Sequence, residues 1–369
     1  MNSQNNELQD FISITMSNLT KNKFSSLIDA HVAMNQKRFG ENFILFEILG
    51  EGGFAKVIKV LNRANNKYMA LKIMSSVKTK KGELYDEEEK GDFLKGIKEE
   101  DKMNKEIQKI KPKNLFLEYY GIFETKDCII MAMETGVSNL GCTTKNGKVY
   151  TNSEALWIIS QLAPIHALLT EQGIVHCDIK PDNVVLVEDK EKEGYFIYKL
   201  LDFGISVQLS KGEKKFSADK KPSGCTKYYV APEAFVAFET KNSDPFPEYD
   251  AYKADVYSLG VLLLKLIGVK KKNWEETLKK NPNNKQMIKL LQAILNTDPD
   301  RRPSFSEIIK MIEPMEKDRP CDEKYYFYGE GDLDNKLIDS FHIYFDHLNL
   351  IKEASKSIDM AKNIMQKKI

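Results

Sequence analysis

The stretch His176-Cys177-Asp178-Ile179-Lys180-Pro181-Asp182-Asn183, with Asp202-Phe203-Gly204 a short way downstream, decides the reading of this chain. It places two carboxylates, a lysine and an amide on two successive turns of backbone. Groups of these types can hold Mg²⁺ on a nucleoside triphosphate and steer a hydroxyl toward its γ-phosphate. Asp-Phe-Gly alone would say little, because Phe and Gly are common beside any strand end. Its weight comes from what surrounds it.

From Phe43 to Met74 the apolar residues follow the two-residue period of strands. Phe43-Ile44-Leu45-Phe46-Glu47-Ile48-Leu49 runs into a glycine turn. Val57-Ile58-Lys59-Val60 leads to the turn signal Asn65-Asn66, and Tyr68-Met69-Ala70-Leu71-Lys72-Ile73 follows. An antiparallel meander is expected. Gly50-Glu51-Gly52-Gly53-Phe54-Ala55-Lys56-Val57 joins its first two strands, where glycines let backbone N–H groups approach an anion without side-chain interference. Strand alternation sends Ala70 and Lys72 to one face, beneath that loop.

Lys78 to Lys102 is dense in Lys, Glu and Asp and reads as a solvated loop and helix. Met103, Ile107 and Ile110 continue at helical spacing, and Leu115 to Phe123 and Cys128 to Met133 return to strand character. Beyond Gly136 the pattern is mainly helical, at Glu154 to Gln172, Ala254 to Gly268, Asn284 to Leu295 and Phe305 to Ile312.

Taken in this order, the motifs resemble the eukaryotic protein kinases, and their serine/threonine branch more closely, from about Phe43 to Glu313. The resemblance implies an α+β, bilobal protein-kinase-like fold, with a small antiparallel β-rich N-lobe (43–134) and a large, mainly helical C-lobe (137–313). Residues 1–42 then form a helical extension, and residues 314–369 a linker and helix. Gly50, Glu51, Gly52, Gly53, Phe54 and Ala55 would fold over the phosphates of ATP, with Phe54 at the loop tip and Ala55 in place of a usual third glycine. Val57, Ala70 and Val185 join the nucleotide-binding set, Val57 lying on the adenine. Met133 stands at the gatekeeper position. Backbone groups of Glu134 and Gly136 would bond the adenine edge, so that side-chain identity matters little there.

By the same resemblance Lys72 would reach the α- and β-phosphates, oriented by a carboxylate from the following helix. Glu106 is the choice, with Glu99 and Glu100 as competitors. Asp178 would accept or orient the substrate hydroxyl, and Lys180 would stabilise charge on the transferring group. Asn183 and Asp202 would hold Mg²⁺ through hard oxygen ligands. Thr226 would bridge Asp178 and Lys180, Glu233 would pair with Arg302, and Asp255 would anchor the catalytic loop. His176 is expected to pack under Phe203, and His166 to be a core residue. Cys177 departs from the pattern. Kinases that depend on activation-loop phosphorylation carry arginine there, and a neutral thiol removes the charge that a phosphate would neutralise.

The expectation is an ATP- and Mg²⁺-dependent kinase acting on Ser/Thr hydroxyls of protein substrates. The alternative is a pseudokinase serving as a nucleotide-binding scaffold, against which stand the retained Lys72, Asp178, Lys180, Asn183 and Asp202. A net charge of +1, from 55 basic and 54 acidic residues, creates no field favouring nucleic acid or a membrane. The scattered Cys128, Cys142, Cys177, Cys225 and Cys321 suggest neither a disulfide framework nor a zinc site. A cytoplasmic location is expected, since Met1-Asn2-Ser3-Gln4 lacks the start of a secretory signal. The apolar run Val256 to Val269 is too short to span a bilayer. Leu8, Phe11, Ile12 and Leu19, and then Phe24, Leu27, Ile28 and Val32, form weak helical faces. Leu337, Phe341, Tyr344, Leu348 and Ile351 form a helical seam, so 333–369 would cover the globular body or meet a partner or second copy.

Overall fold

The alternating segments at the front of the chain form the expected meander, and two later strands extend it. The computed structural model describes residues 43–51, 55–62, 67–76, 83–124, 128–189, 196–240 and 246–316. Within them β1 (Phe43–Glu51), β2 (Ala55–Asn62), β3 (Lys67–Ser75), β4 (Tyr119–Glu124) and β5 (Cys128–Glu134) build an antiparallel sheet in the order β1-β2-β3-β5-β4. Val57 stands opposite Lys72, and Lys72 opposite Met131. The period of two therefore puts Ala55, Val57, Ala70, Lys72, Met74 and Met131 on one face.

Against that face packs α1 (Glu87–Ile107), through Phe93, Leu94 and Ile97 onto Met74, Ile129 and Met131. Its start is fixed by a capping box. Asp86 accepts the N–H of Glu89 at 2.8 Å, and the Glu89 carboxylate accepts the N–H of Asp86 at 3.2 Å. Glu87, Glu88 and Glu89 in the first turn also suit the positive end of the helix dipole. The charged stretch expected as solvated loop and helix thus belongs, from Glu87 on, to one helix of 21 residues. Strand character was expected from Leu115, but β4 begins at Tyr119 after a 3-10 turn at Lys113–Leu115. Leu115 and Phe116 are buried there. Core residues of a turn had the look of a strand.

The second lobe is helical around a small sheet. In order come β6 (Ser138–Asn139), α2 (Leu140–Lys145), α3 (Asn152–Glu171), β7 (Ile174–Val175), β8 (Val184–Glu188), β9 (Phe196–Leu200), β10 (Val207–Gln208) and β11 (Lys215–Phe216). After them stand α4 (Pro232–Glu239), β12 (Tyr249–Asp250), α5 (Ala251–Leu266), α6 (Trp274–Lys279), α7 (Lys285–Ile294) and α8 (Phe305–Glu316). The apolar run from Val256 is the central helix α5. Leu259, Val261, Leu262, Leu263, Leu264 and Leu266 are fully buried in it, as expected of a helix apolar all round. Among the described residues, no helix is long and apolar enough to cross a membrane.

Two pairings position the chemistry. β8 and β9 form an antiparallel hairpin, and β7 pairs with β10, so the loops at 176–183 and 201–206 are held side by side. The chain divides into two units, Met1–Glu316 and Lys317–Ile369. The helical faces before residue 43, the seam at Leu337 to Ile351, and Gly52, Gly53 and Phe54 lie outside the described residues.

Candidate active site

Lys72 sits where the two lobes face each other. Its Nζ lies 2.7 Å from Glu100 Oε1 and 3.2 Å from Asp202 Oδ1. Burial alone would depress its pKa, but the carboxylates of Asp202 and Glu100 outweigh that and hold the ammonium well above the ordinary lysine range. Burial first, and then Asp202, push the Glu100 carboxyl upward against the pull of Lys72. Burial likewise opposes ionisation of Asp202, yet Lys72 holds that carboxyl below its usual range.

Glu106 is therefore not the partner of Lys72. It pairs with Lys109 at 2.6 Å on the outer side of α1. Glu99 is exposed. The phase of the helix explains the correction: Ile97, Glu100, Asp101, Met103 and Ile107 are its buried residues, set at three- and four-residue spacing along one face. The signal was present in the sequence as the apolar stripe Ile97, Met103 and Ile107, which brackets Glu100.

The catalytic loop is held by a network of short bonds. Asp178 Oδ2 accepts from Lys180 Nζ at 2.6 Å and from Asn183 Nδ2 at 2.9 Å, and Asn183 Nδ2 also reaches Asp178 O at 2.9 Å. Thr226 Oγ1 donates to Asp178 Oδ1 at 2.5 Å and accepts from Lys180 Nζ at 3.1 Å. The expected threonine bridge is formed. The N–H of Leu201 donates to Asn183 O at 3.0 Å, which sets Asn183 close to Asp202. With its NH₂ committed to Asp178, Asn183 has its amide oxygen for a cation. Together with Asp202, whose side chain is 44% exposed, that is an amide and a carboxylate. The pair suits Mg²⁺, which takes one or two protein oxygens plus phosphates and waters. Among the described residues, no group of three His, Cys, Asp or Glu could hold a metal ion.

Two non-glycine residues among those described have left-handed backbone, and both belong to this site: Cys177 at φ 68° and Asp202 at φ 65°. Such strain persists where the surroundings over-determine it. At Cys177 they do. The Asp255 carboxylate accepts the N–H of His176 at 2.7 Å and of Cys177 at 3.0 Å. Burial pushes the Asp255 carboxyl up to about 7, against the pull of these two N–H groups. His176 packs on Phe203 with ring centres 4.9 Å apart, and His166 stacks on Phe305 at 4.8 Å. Both roles are as expected.

Residues 202–233, which the resemblance makes the activation segment, rest on an apolar floor. Cys177 packs with Val175, Phe216, Ala231, Tyr249 and Ala254, and burial pushes its thiol well up. Phe216 is 1% exposed and β11 pairs with β12. Beside Cys177 lies a cavity of about 410 Å³, lined by Phe216, Ala234, Phe238, Tyr249 and Ala254 among others. Glu233 meets Arg302 in a bidentate pair at 2.6 and 2.9 Å, with the arginine side chain fully buried.

At the strand junction between the lobes, Gly136 packs so close to Val185 that an added Cβ would lie 1.9 Å from Val185 Cγ2. Thr135 Oγ1 donates to Gly136 O at 3.2 Å, and Glu134 N donates to Glu118 O at 2.8 Å. The Glu134 side chain is buried against Lys199 Nζ at 2.9 Å. Its identity matters to the structure, contrary to expectation, because it carries one half of an interior ion pair. Sequence reading also missed the pair of Lys145 with Asp182, whose partners are 37 residues apart.

The chain is similar to known proteins over much of its length. The family model for the protein kinase domain matches residues 43–312. The chain is 28% identical over 298 residues to a probable serine/threonine-protein kinase of Dictyostelium discoideum, covering 74% of this chain and 24% of that protein. It is 28% identical over 251 residues to serine/threonine-protein kinase tousled-like 1-B of Danio rerio, covering 67% and 30%. It is 29% identical over 226 residues to dual specificity protein kinase Ttk of Danio rerio, covering 61% and 20%. The chain thus spans less than a third of the length of each of these relatives.

Proposed function

The chain belongs to the protein kinase domain family, and from that premise we propose that it transfers the γ-phosphate of ATP to serine and threonine hydroxyls of protein substrates. One observation carries the reading. Lys72 holds Glu100 and Asp202 at once, while Asp178 is engaged by Lys180, Asn183 and Thr226. Both halves of the catalytic arrangement are formed in one conformation.

Each residue then has a physical task. Gly50, Ala55 and Val57, at the facing ends of β1 and β2, would cover the nucleotide. Ala70, Met133 and Val185 line the adenine, whose edge meets peptide groups of Glu134 and Gly136. Lys72, fixed by Glu100, positions the α- and β-phosphates as a point charge. Mg²⁺ held through the oxygens of Asn183 and Asp202 would neutralise charge on the β- and γ-phosphates. Asp178 would orient the acceptor hydroxyl and take its proton as the hydroxyl oxygen bonds the γ-phosphorus and the bond from that phosphorus to the β–γ bridging oxygen breaks, releasing ADP. Lys180 offsets charge on the transferring group, and Thr226 ties the acceptor side of the cleft to Asp178. Cys177 supports a further reading: the activation segment is held by packing on a neutral floor, without a loop phosphate on an arginine.

Purified protein, Mg²⁺, labelled ATP and a degenerate Ser/Thr peptide library test the proposal. Label should enter peptides, and Asp178→Asn should abolish it. Binding of Mg·ATP with no transfer to any peptide would establish the pseudokinase reading instead.

A further inference from the structure

The surface beside Asp178 carries a charge asymmetry that phosphoryl transfer does not require. Because Thr226 touches Asp178, the residues next to Thr226 flank the place of an acceptor hydroxyl. Lys227 and Tyr228 follow, both exposed, with Lys227 Nζ 4.9 Å over the ring of Phe235. Lys271 Nζ donates to Tyr228 O at 3.3 Å and lies over the ring of Tyr257 at 4.8 Å. The exposed Lys270 and Lys272 flank it in sequence. Between Gly204 and Pro232, Lys211, Lys214, Lys215, Lys220, Lys221 and Lys227 stand against only Glu213 and Asp219. Glu213 is already paired with Lys220 at 2.8 Å.

Within the loop that carries Asp178, the other carboxylate is paired. Asp182 lies between Lys180 and Asn183 in sequence, over Gly141, and is bound by the Lys145 ammonium. Its field reaches the activation segment: burial, then Asp182 and Tyr228, push the Tyr229 phenol up to about 12. Glu239 is a further carboxylate near Thr226: burial first, and then Asp178 and Glu239, push the neighbouring Cys225 thiol up.

Resting on the kinase reading above, we propose that the acceptor groove selects serine and threonine flanked by acidic residues and disfavours basic ones. A basic flank would have to displace Lys145 from Asp182 and would meet the like charges of Lys227 and Lys271. An acidic flank finds those lysines as partners. Such like-charge penalties set specificity more than affinity.

Matched serine peptides with Asp/Glu or Lys/Arg flanks test this, by kcat/KM and, independently of turnover, by fluorescence anisotropy of binding. Acidic peptides should be favoured about five-fold in both readouts at low salt, the scale of an exposed charge pair. The ratio should narrow at about 0.5 M salt, where such pairs are screened. Lys227→Glu with Lys271→Glu should reverse the order, whereas Lys279→Glu, at an exposed lysine paired with Glu275, should leave it unchanged. Lys145→Ala should raise use of basic peptides by exposing Asp182. Equal or basic-favoured binding would overturn the proposal. Transfer to peptides without charge preference would overturn it and leave the kinase reading standing. Tighter binding of acidic peptides with no transfer to any would support the groove's preference and overturn the kinase reading.

Discussion

Two regions of this molecule take charge out of water, and they balance it differently. Between the lobes, one lysine, Lys72, faces two carboxylates, Glu100 and Asp202, and Asp202 remains open to solvent. Negative charge is left over, for a cation and the phosphates it carries. Under the activation segment, Glu233 and Arg302 match one to one in the interior. Nearby, the position next to Asp178 is a neutral thiol packed among apolar side chains. The first region carries one carboxylate more than its lysine matches. The second is complete by itself. Charge substitutions should therefore cost chemistry in the first and folding in the second.

The contrast is broken most severely at Arg302. Arg302→Met leaves Glu233 without its buried partner, and losing one half of such a pair costs roughly 3–5 kcal/mol. Urea unfolding should show the midpoint falling accordingly. Asp202→Asn and Lys72→Met should do the opposite. They should lower kcat by at least about 10²-fold, the scale for losing one preorganised charge-stabilising group, while the unfolding midpoint hardly moves. A variant of either residue that unfolds early but retains turnover would erase the distinction.

Smaller effects sharpen the boundary between the regions. Glu100→Gln should reduce kcat/KM by about ten-fold, equivalent to about 1.4 kcal/mol of barrier, and Glu106→Gln should leave it within assay error. The reverse order would restore Glu106 as the partner of Lys72. The neutral interior has a pH signature as well. Burial holds the imidazoles of His166 and His176 below their ordinary range, with His176 adding to the shift at His166 and with Asp178 and Asp202 opposing it at His176. The unfolded chain binds those protons from about pH 6.5 downward, and the folded chain resists them. Stability is therefore whole above that pH and is lost as pH falls, by up to about 1.4 kcal/mol per pH unit for each histidine. His166→Phe should flatten the decline in urea unfolding free energy. An unchanged slope would show that His166 is not held neutral.

Where a role depends on a few consecutive residues, the sequence made it legible. Asp178, Lys180, Asn183 and Asp202 lie at fixed spacing around strand ends, so the chain itself brings them together. Thr226, Glu233 with Arg302, and Asp255 were expected from the resemblance, and each makes the contact it implies. Glu100 was not, because its place depends on the phase of α1 rather than on a neighbouring motif. Six positions on at about 100° each, Glu106 is turned some 240° around the helix. Glu134 with Lys199 and Lys145 with Asp182 were invisible for a different reason. Each joins residues far apart in sequence, and a charged residue beside a turn reads as solvated until its neighbour is known.

Whether the proposed Ser/Thr kinase site works without a loop phosphate is decided by a steady-state assay of phosphatase-treated protein. With Mg·ATP and a Ser/Thr peptide, treated protein should keep most of the activity of untreated protein. The triple variant Ser210→Ala, Ser217→Ala, Ser223→Ala should do the same, with Asp202→Asn as the inactive control. A loss of about ten-fold or more on treatment, about 1.4 kcal/mol of barrier, regained on rephosphorylation by an added kinase, would contradict the account.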